Sequence, residues 1–450
     1  MNPKYFFYAF LISIPLGARV LLYQFTAGFN EYEAVFLYVS DALMLLFLIA
    51  WAKHSHILKN VRMLVGENKL LCAFLGLALI SVAVAFSKPL AIYNFVRLVL
   101  LAMMALATAK LLKIGAVKFE NILAVIVASS VVQSLVGIGQ FIKQESLGLA
   151  RLGEPVIGPN VGGAAKIIAE GGKVLRAYGT LPHPNVLAAF LVIGLLAILY
   201  FLLRPIDKTD PSYRPIRANK SITIRDGLLV IGLFIIILGL VFSFSRSAWL
   251  VGAIFIGAFL IWALFHKEYR QRAAQISVIL LSILLISIFY FHSFILPRAQ
   301  VSPSEPAVTQ RIGYNDIAIS LIKNNFPGVG IGNQVLYSVK NEVYKNAGMT
   351  QVWQWQPVHN IYLLIGAEIG ILGLAAFLIF ITAILVSSIK YQVLSHNSSF
   401  VIPLIMLMAL LALGLFDHFL WTLQPGRLIF WLVIGIVLSQ RFSGASLARK

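Results

Sequence analysis

Apolar runs of roughly 20 residues recur along this 450-residue chain, and they leave few folds open. At 1.5 Å of rise per residue, such a run crosses about 30 Å of hydrocarbon as a helix. Lipid offers no hydrogen bonds, so backbone inside it must satisfy itself, which a helix does within one segment. Membrane strands would alternate apolar and polar residues, and these runs do not. With 60% hydrophobic and 12% charged residues, the composition exceeds what one soluble core can absorb. The sequence therefore predicts an all-α polytopic membrane protein, a single integral membrane domain over 1–450 with about 12 transmembrane helices. The expected spans are 5–25, 33–52, 69–87, 91–110, 119–143, 184–204, 227–244, 247–266, 274–296, 358–387, 400–420 and 426–441.

The first span lacks a small-x-small cleavage site and reads as a helix, not as a signal peptide. An even count puts both termini on one side. The segments sharing that side hold Lys53, Lys59, Arg62 and Lys69, and then Lys208, Arg214, Arg217, Lys220 and Arg225. The positive-inside rule makes that side cytoplasmic and the long loops extracytoplasmic. The same rule accounts for the net charge of +19, which is scattered over short loops, so no nucleic-acid partner is expected. The single cysteine, Cys72, lies in an apolar run and allows neither an internal disulfide nor a cysteine metal site.

Two outer segments are long. Residues 144–183 hold a glycine-rich stretch, and Arg-Ala-Tyr-Gly-Thr-Leu-Pro-His-Pro-Asn follows at 176–185. Residues 297–357, between the ninth and tenth expected helices, form a large extracytoplasmic loop that opens with Pro303 and Pro306. Ala318, Leu321 and Ile322 at i, i+3, i+4 spacing predict a short amphipathic helix near 310–324, stopped by Pro327 and Gly328. The rings of Trp353 and Trp355 suit the membrane interface on the way back.

The outer face collects Arg176, His183, Arg246, Arg311 and His359. Arg246, in the tight turn 243–249, reads either as a snorkelling interfacial arginine or as an anion ligand. Arg311 begins a surface helix and reads either as solvated or as a second anion ligand. His183, between two prolines, could simply shape its turn. His359 opens a membrane helix, where the positive end of the dipole disfavours the imidazolium, so a neutral ring there could act as a base. Glu368 lies inside the same span, and a buried acid in a membrane is functional by default. Asp417 and His418 raise the same question near the outer end of the eleventh expected helix.

The outer segments carry no Asp-x-Asp or close acidic pair for magnesium or manganese, no His/Cys cluster for zinc, and no Walker loop for ATP. The site reads as cationic, with no metal and no cofactor.

In chain order, Arg-Ala-Tyr-Gly-Thr-Leu-Pro-His-Pro-Asn (176–185), Ser-Arg-Ser-Ala-Trp (245–249), Arg311, Phe-Pro-Gly-Val-Gly-Ile-Gly-Asn (326–333) and His-Asn-Ile-Tyr-Leu (359–363) resemble the O-antigen ligase and polymerase family of membrane glycosyltransferases. The resemblance covers a core of about 176–385. It implies transfer of a glycan from undecaprenyl diphosphate to an acceptor hydroxyl on a glycan, lipid or protein, without metal or ATP. The reaction would take place at the outer face of the cytoplasmic (inner) membrane, in cell-surface polysaccharide or lipopolysaccharide synthesis. It implies that Arg246 and Arg311 hold the diphosphate and that His359 activates the acceptor. Arg176, His183, Asn185, Asn360 and Glu368 are the supporting candidates. Ligase and polymerase differ only in acceptor, and the ligase is preferred. The alternative from another class is a flippase or secondary transporter. Against it, the halves of the chain show no symmetry of the kind such carriers have.

Overall fold

The computed structural model describes residues 2–54, 68–169, 171–204, 224–300, 305–395 and 401–447. The cations expected inside at Lys59, Arg62 and from Lys208 to Lys220, and also Pro303, lie outside the described residues.

Helix α1 (Pro3–Ser13) is capped by the Asn2 side chain and ends early, because Pro15 and Gly17 interrupt the apolar run. The chain then forms strand β1 (Arg19–Gln24), antiparallel to β2 (Ala34–Tyr38) with Arg19 opposite Tyr38, before α2 (Val39–His54). The expected spans 5–25 and 33–52 are corrected accordingly: a hairpin lies where helix was expected. Arg19 is not inside a span but pairs with Glu31 and donates to the Tyr38 hydroxyl. Valine, leucine and tyrosine in 19–24 favour a strand once the helix is broken.

The succeeding helices are α3 (Lys69–Ala83), α4 (Lys88–Lys113), α5 (Phe119–Lys143), α6 (Pro184–Leu203), α7 (Ile224–Phe242), α8 (Arg246–Phe265) and α9 (Arg270–Ala299). A short antiparallel pair, β3 (Lys166–Ala169) and β4 (Gly172–Leu175), lies between α5 and α6. Next come α10 (Pro306–Asn324), α11 (Gln334–Lys340), α12 (Val343–Asn346), α13 (Ile361–Ser395), α14 (Val401–Leu413), α15 (Phe419–Thr422) and α16 (Gln424–Leu447). Among the described residues seven helices, α4 to α9 and α13, are long and apolar enough to cross a membrane, and α3, α14 and α16 are apolar but shorter. The molecule is an all-α, multi-pass membrane protein, and the two hairpins are its only sheets among the described residues.

The chain divides into two compact units. Unit two (Glu120–Gly148 and Pro155–Gln300) is built round α6. That helix is apolar on every face and buried along nearly its whole length, with α7, α8 and α9 packed against it. On α9, Leu281, Leu285, Phe289 and Tyr290 remain exposed, as lipid-facing residues should.

Unit one comprises Met1–Phe119, Leu149–Glu154 and Val301–Lys450. In it α16 lies along α4 and α13 along α3. Helix α13 breaks at Gly370 (φ 80°, ψ 172°), where a side chain would meet the Phe326 carbonyl at 2.4 Å. The break frees the Ala367 and Glu368 carbonyls, which accept the N–H groups of Val329 and Gly330, each at 2.9 Å. Segment 326–333 is thereby fastened to the membrane helix. Residues 297–299 continue α9, and the described part of the remaining expected loop packs Tyr314, Ile317, Leu321, Val335, Tyr344 and Met349 into a core that also takes in Ala367 of α13, with Trp355 packed against it. Trp355 donates to the Met349 carbonyl at 3.1 Å, so this ring serves that core.

Candidate active site

In unit two, the polar side chains of 176–185 hold backbone. Arg176 is 6% exposed; its Nε donates to the Ser243 carbonyl and its Nη2 to Asn185 Oδ1, both at 2.7 Å. From α5, Gln140 Oε1 accepts the N–H groups of Tyr178 and Gly179, and Gln133 Oε1 accepts that of Thr180. Gly179 (φ +63°) is required there, since a Cβ would lie 2.3 Å from Gln133 Oε1. His183 caps α6, its Nδ1 accepting the Asn185 N–H at 3.1 Å. The turn that Arg176 grips leads through Phe244 (φ 47°) into α8, where half-buried Arg246 is the first helical residue and donates to the Gln300 carbonyl at 3.2 Å.

In unit one, the side chains meet one another. Asn360 caps α13, its Oδ1 accepting the N–H groups of Tyr362 and Leu363. His359 therefore precedes the helix instead of opening it. Its Nδ1 lies 3.0 Å from the Pro357 carbonyl, which fixes the proton on Nδ1 and leaves the Nε2 lone pair available. The ring stacks on Tyr314 of α10 (centroids 5.2 Å apart, 10° between planes) and meets His418 edge-on at 4.8 Å. Tyr314 in turn donates to the Gln354 carbonyl at 2.6 Å, and burial pushes its hydroxyl up to about 12.

Burial holds the pKa of His359 below the ordinary 6.5, and the charge of Arg311 adds to this; Asp417 and the Pro357 carbonyl pull the other way. Burial is the leading cause of that lowering. Arg311 sits three residues before Tyr314, on the same side of α10. His418 Nδ1 lies 2.7 Å from Thr422 Oγ1, and the His418 backbone N–H donates to Asp417 Oδ1 at 2.7 Å. Ligand atoms of His359, Asp417 and His418 all lie within 4.8 Å of one another, so donor types and spacing would suit a divalent cation. That corrects the expectation of no histidine cluster: His359 and His418 are far apart in sequence, and only the fold joins them.

Glu368 is 3% exposed and accepts the Trp421 indole N–H at 2.8 Å, with further bonds from the amides of Gly332 and Gln334. It braces segment 326–333 against α15. Sequence reasoning missed Tyr314 and Thr422; the spacings Arg311/Tyr314 and His418/Thr422, one helical turn each, were the available signal.

The sequence pattern of the O-antigen ligase family matches residues 231–378. The chain carries an O-antigen ligase domain. The match includes the turn with Arg246, Arg311, segment 326–333, His359 and Glu368, while 176–185 lies before it. No curated protein matches the chain. The domain belongs to a glycosyltransferase-like family of membrane ligases and polymerases, whose substrates are lipid-linked glycans and their acceptors.

Proposed function

We propose that the protein moves a glycan from undecaprenyl diphosphate to an acceptor hydroxyl at the outer face of the cytoplasmic membrane, as a ligase. The observation that carries this reading is the half-buried neutral His359, its tautomer set by Pro357 and its ring clustered with Asp417 and His418. The acceptor oxygen bonds to C1 of the donor sugar while its proton passes to His359 Nε2. The C1–oxygen bond breaks with its electron pair going to the diphosphate. Asp417 stabilises the imidazolium that forms. Arg311 is assigned to the developing diphosphate charge, as is Arg246 by its place in the Ser-Arg-Ser-Ala-Trp motif. The bond to diphosphate supplies the driving force, so neither nucleotide nor metal is required. Both termini are placed in the cytoplasm.

The His359–Asp417–His418 geometry favours a second reading, in which the same cluster holds a divalent cation that activates the acceptor. The test gives the purified protein an undecaprenyl-diphosphate-linked oligosaccharide and a panel of acceptors, with EDTA present. A new glycosidic product is expected. Loss of product restored by zinc would select the second reading, and a ladder of products instead of one adduct would mark a polymerase. Uptake of the glycan into vesicles without a new bond would return the transporter.

A further inference from the structure

The connection between β1 and β2 holds a residue that the proposed chemistry leaves unused. Asn30 fastens this connection through both atoms of its amide: Oδ1 accepts the Tyr32 N–H at 3.0 Å, and Nδ2 donates to the Trp355 carbonyl at 3.1 Å. The short turn Glu31–Glu33 is thereby tied to the outer loop, and the Tyr32 ring packs on the core of that loop. The same ring meets His418 edge-on, with centroids 5.3 Å apart and 89° between planes. Tyr32, His418, His359 and Tyr314 so form a continuous row of rings, and the N-terminal hairpin supplies its first member.

Three of the four rings have a polar atom held by the protein. His359 Nδ1 is held by the Pro357 carbonyl, His418 Nδ1 by Thr422, and the Tyr314 hydroxyl donates to Gln354. Elsewhere in unit one, Tyr93, Tyr344 and Tyr362 donate to the carbonyls of Phe36, Gln356 and Leu411 at 2.8, 2.6 and 2.8 Å. The Tyr32 hydroxyl has no hydrogen-bond partner among the described residues, and its oxygen is not sealed from solvent. The residue is half-buried and lines a cavity with Pro357 and Thr422, which hold the two histidine rings. A hydroxyl kept there without a partner is destabilising unless something else completes its bond.

The surroundings decide what completes it. Burial holds the Tyr32 hydroxyl well above the ordinary 10; the charges of Glu31 and Asp417 add to this, and Arg19, paired with Glu31, pulls the other way. The group is therefore a neutral donor at working pH. Its two acidic neighbours oppose an anion, so the diphosphate does not suit this position, and a neutral hydroxyl does.

We propose that Tyr32 is a further catalytic residue, donating a hydrogen bond to the acceptor oxygen that attacks the donor sugar. This role rests on the transferase reading. The proton of the acceptor hydroxyl passes to His359, one lone pair of its oxygen forms the bond to C1, and the other accepts from Tyr32. The phenol keeps its own proton throughout, and its contribution is to hold the attacking oxygen in line. Tyr32 lies outside residues 231–378, the part of the chain that the family pattern covers.

The test compares full-length wild type, Tyr32→Phe and Tyr32→Leu in nanodiscs. The substrates are an undecaprenyl-diphosphate-linked oligosaccharide and the methyl glycosides of glucose, galactose and rhamnose. The readout is release of undecaprenyl diphosphate, which counts transfer to any acceptor, water and the donor's own glycan included. Tyr32→Phe keeps the ring on His418 and removes only the oxygen. It should release undecaprenyl diphosphate about tenfold or more slowly, the worth of one hydrogen bond. Its melting temperature should be no lower than that of wild type, its KM for the donor unchanged, and the acid limb of its pH profile unmoved. Tyr32→Leu should melt lower, because the ring is lost from the loop core. A Tyr32→Phe rate within about twofold of wild type would overturn the role, as would a slower rate accompanied by a lower melting temperature or a shifted acid limb. A wild type that releases no undecaprenyl diphosphate would overturn the transferase reading and this role with it, whereas equal rates in an active wild type and Tyr32→Phe overturn the role alone.

Discussion

Two regions carry the motif residues, and they use them differently. Around 176–185 in unit two, Arg176, His183, Gln133 and Gln140 form hydrogen bonds with main chain, with Asn185 or with the Thr180 hydroxyl, and the result is a fixed turn before Arg246. Around 359 in unit one, His359, Asp417, His418 and Tyr314 cluster beside a cavity, and one backbone carbonyl, that of Pro357, fixes the His359 tautomer. Both regions carry arginine and histidine, and the sequence reading put His359 at the chemistry with Arg176 and His183 in support. The difference lies in where the lone pairs and N–H groups point. A side chain fully engaged by backbone positions a segment. One with a free nitrogen beside a carboxylate can move a proton.

This contrast can be broken by substitution. His359→Ala should lower transfer by about 10²- to 10⁴-fold, the usual worth of a general base, with little change in melting temperature; a similar loss of stability and activity would make His359 a structural residue. Arg176→Ala should do the reverse. Withdrawing two charge-assisted bonds from Ser243 and Asn185 should cost about 3 kcal/mol or more, read by thermal unfolding, while transfer per folded molecule changes far less. Should Arg176→Ala stay stable and lose transfer, the 176–185 region touches substrate. His183→Ala should cost only about 1 kcal/mol, as removal of one helix cap does, and an activity loss larger than tenfold would again blur the two regions.

The membrane class was legible because span length and unbroken apolarity depend on lipid thickness alone. The first two spans were misread because hydropathy averages over Pro15 and Gly17, and a hairpin of Val20, Leu21, Leu22 and Tyr23 is as apolar as a helix. The break at Gly370 left no trace in composition; its cause is the docking of 326–333 from a distant part of the chain. In the candidate site, individual residues were legible and their company was not. His359 stood out as the expected opening of a membrane helix, but Tyr314, Asp417 and His418 reach it only through tertiary packing.

The pH dependence of kcat/KM for transfer tests most directly whether a neutral His359 takes the acceptor's proton. The base must be unprotonated, so activity falls as pH drops through its folded-state pKa, which burial sets below 6.5. The account predicts a plateau that extends below 6.5 and a single acid limb beneath it, absent from the residual activity of His359→Gln. A limb centred above 6.5, or the same limb in wild type and His359→Gln, would contradict it.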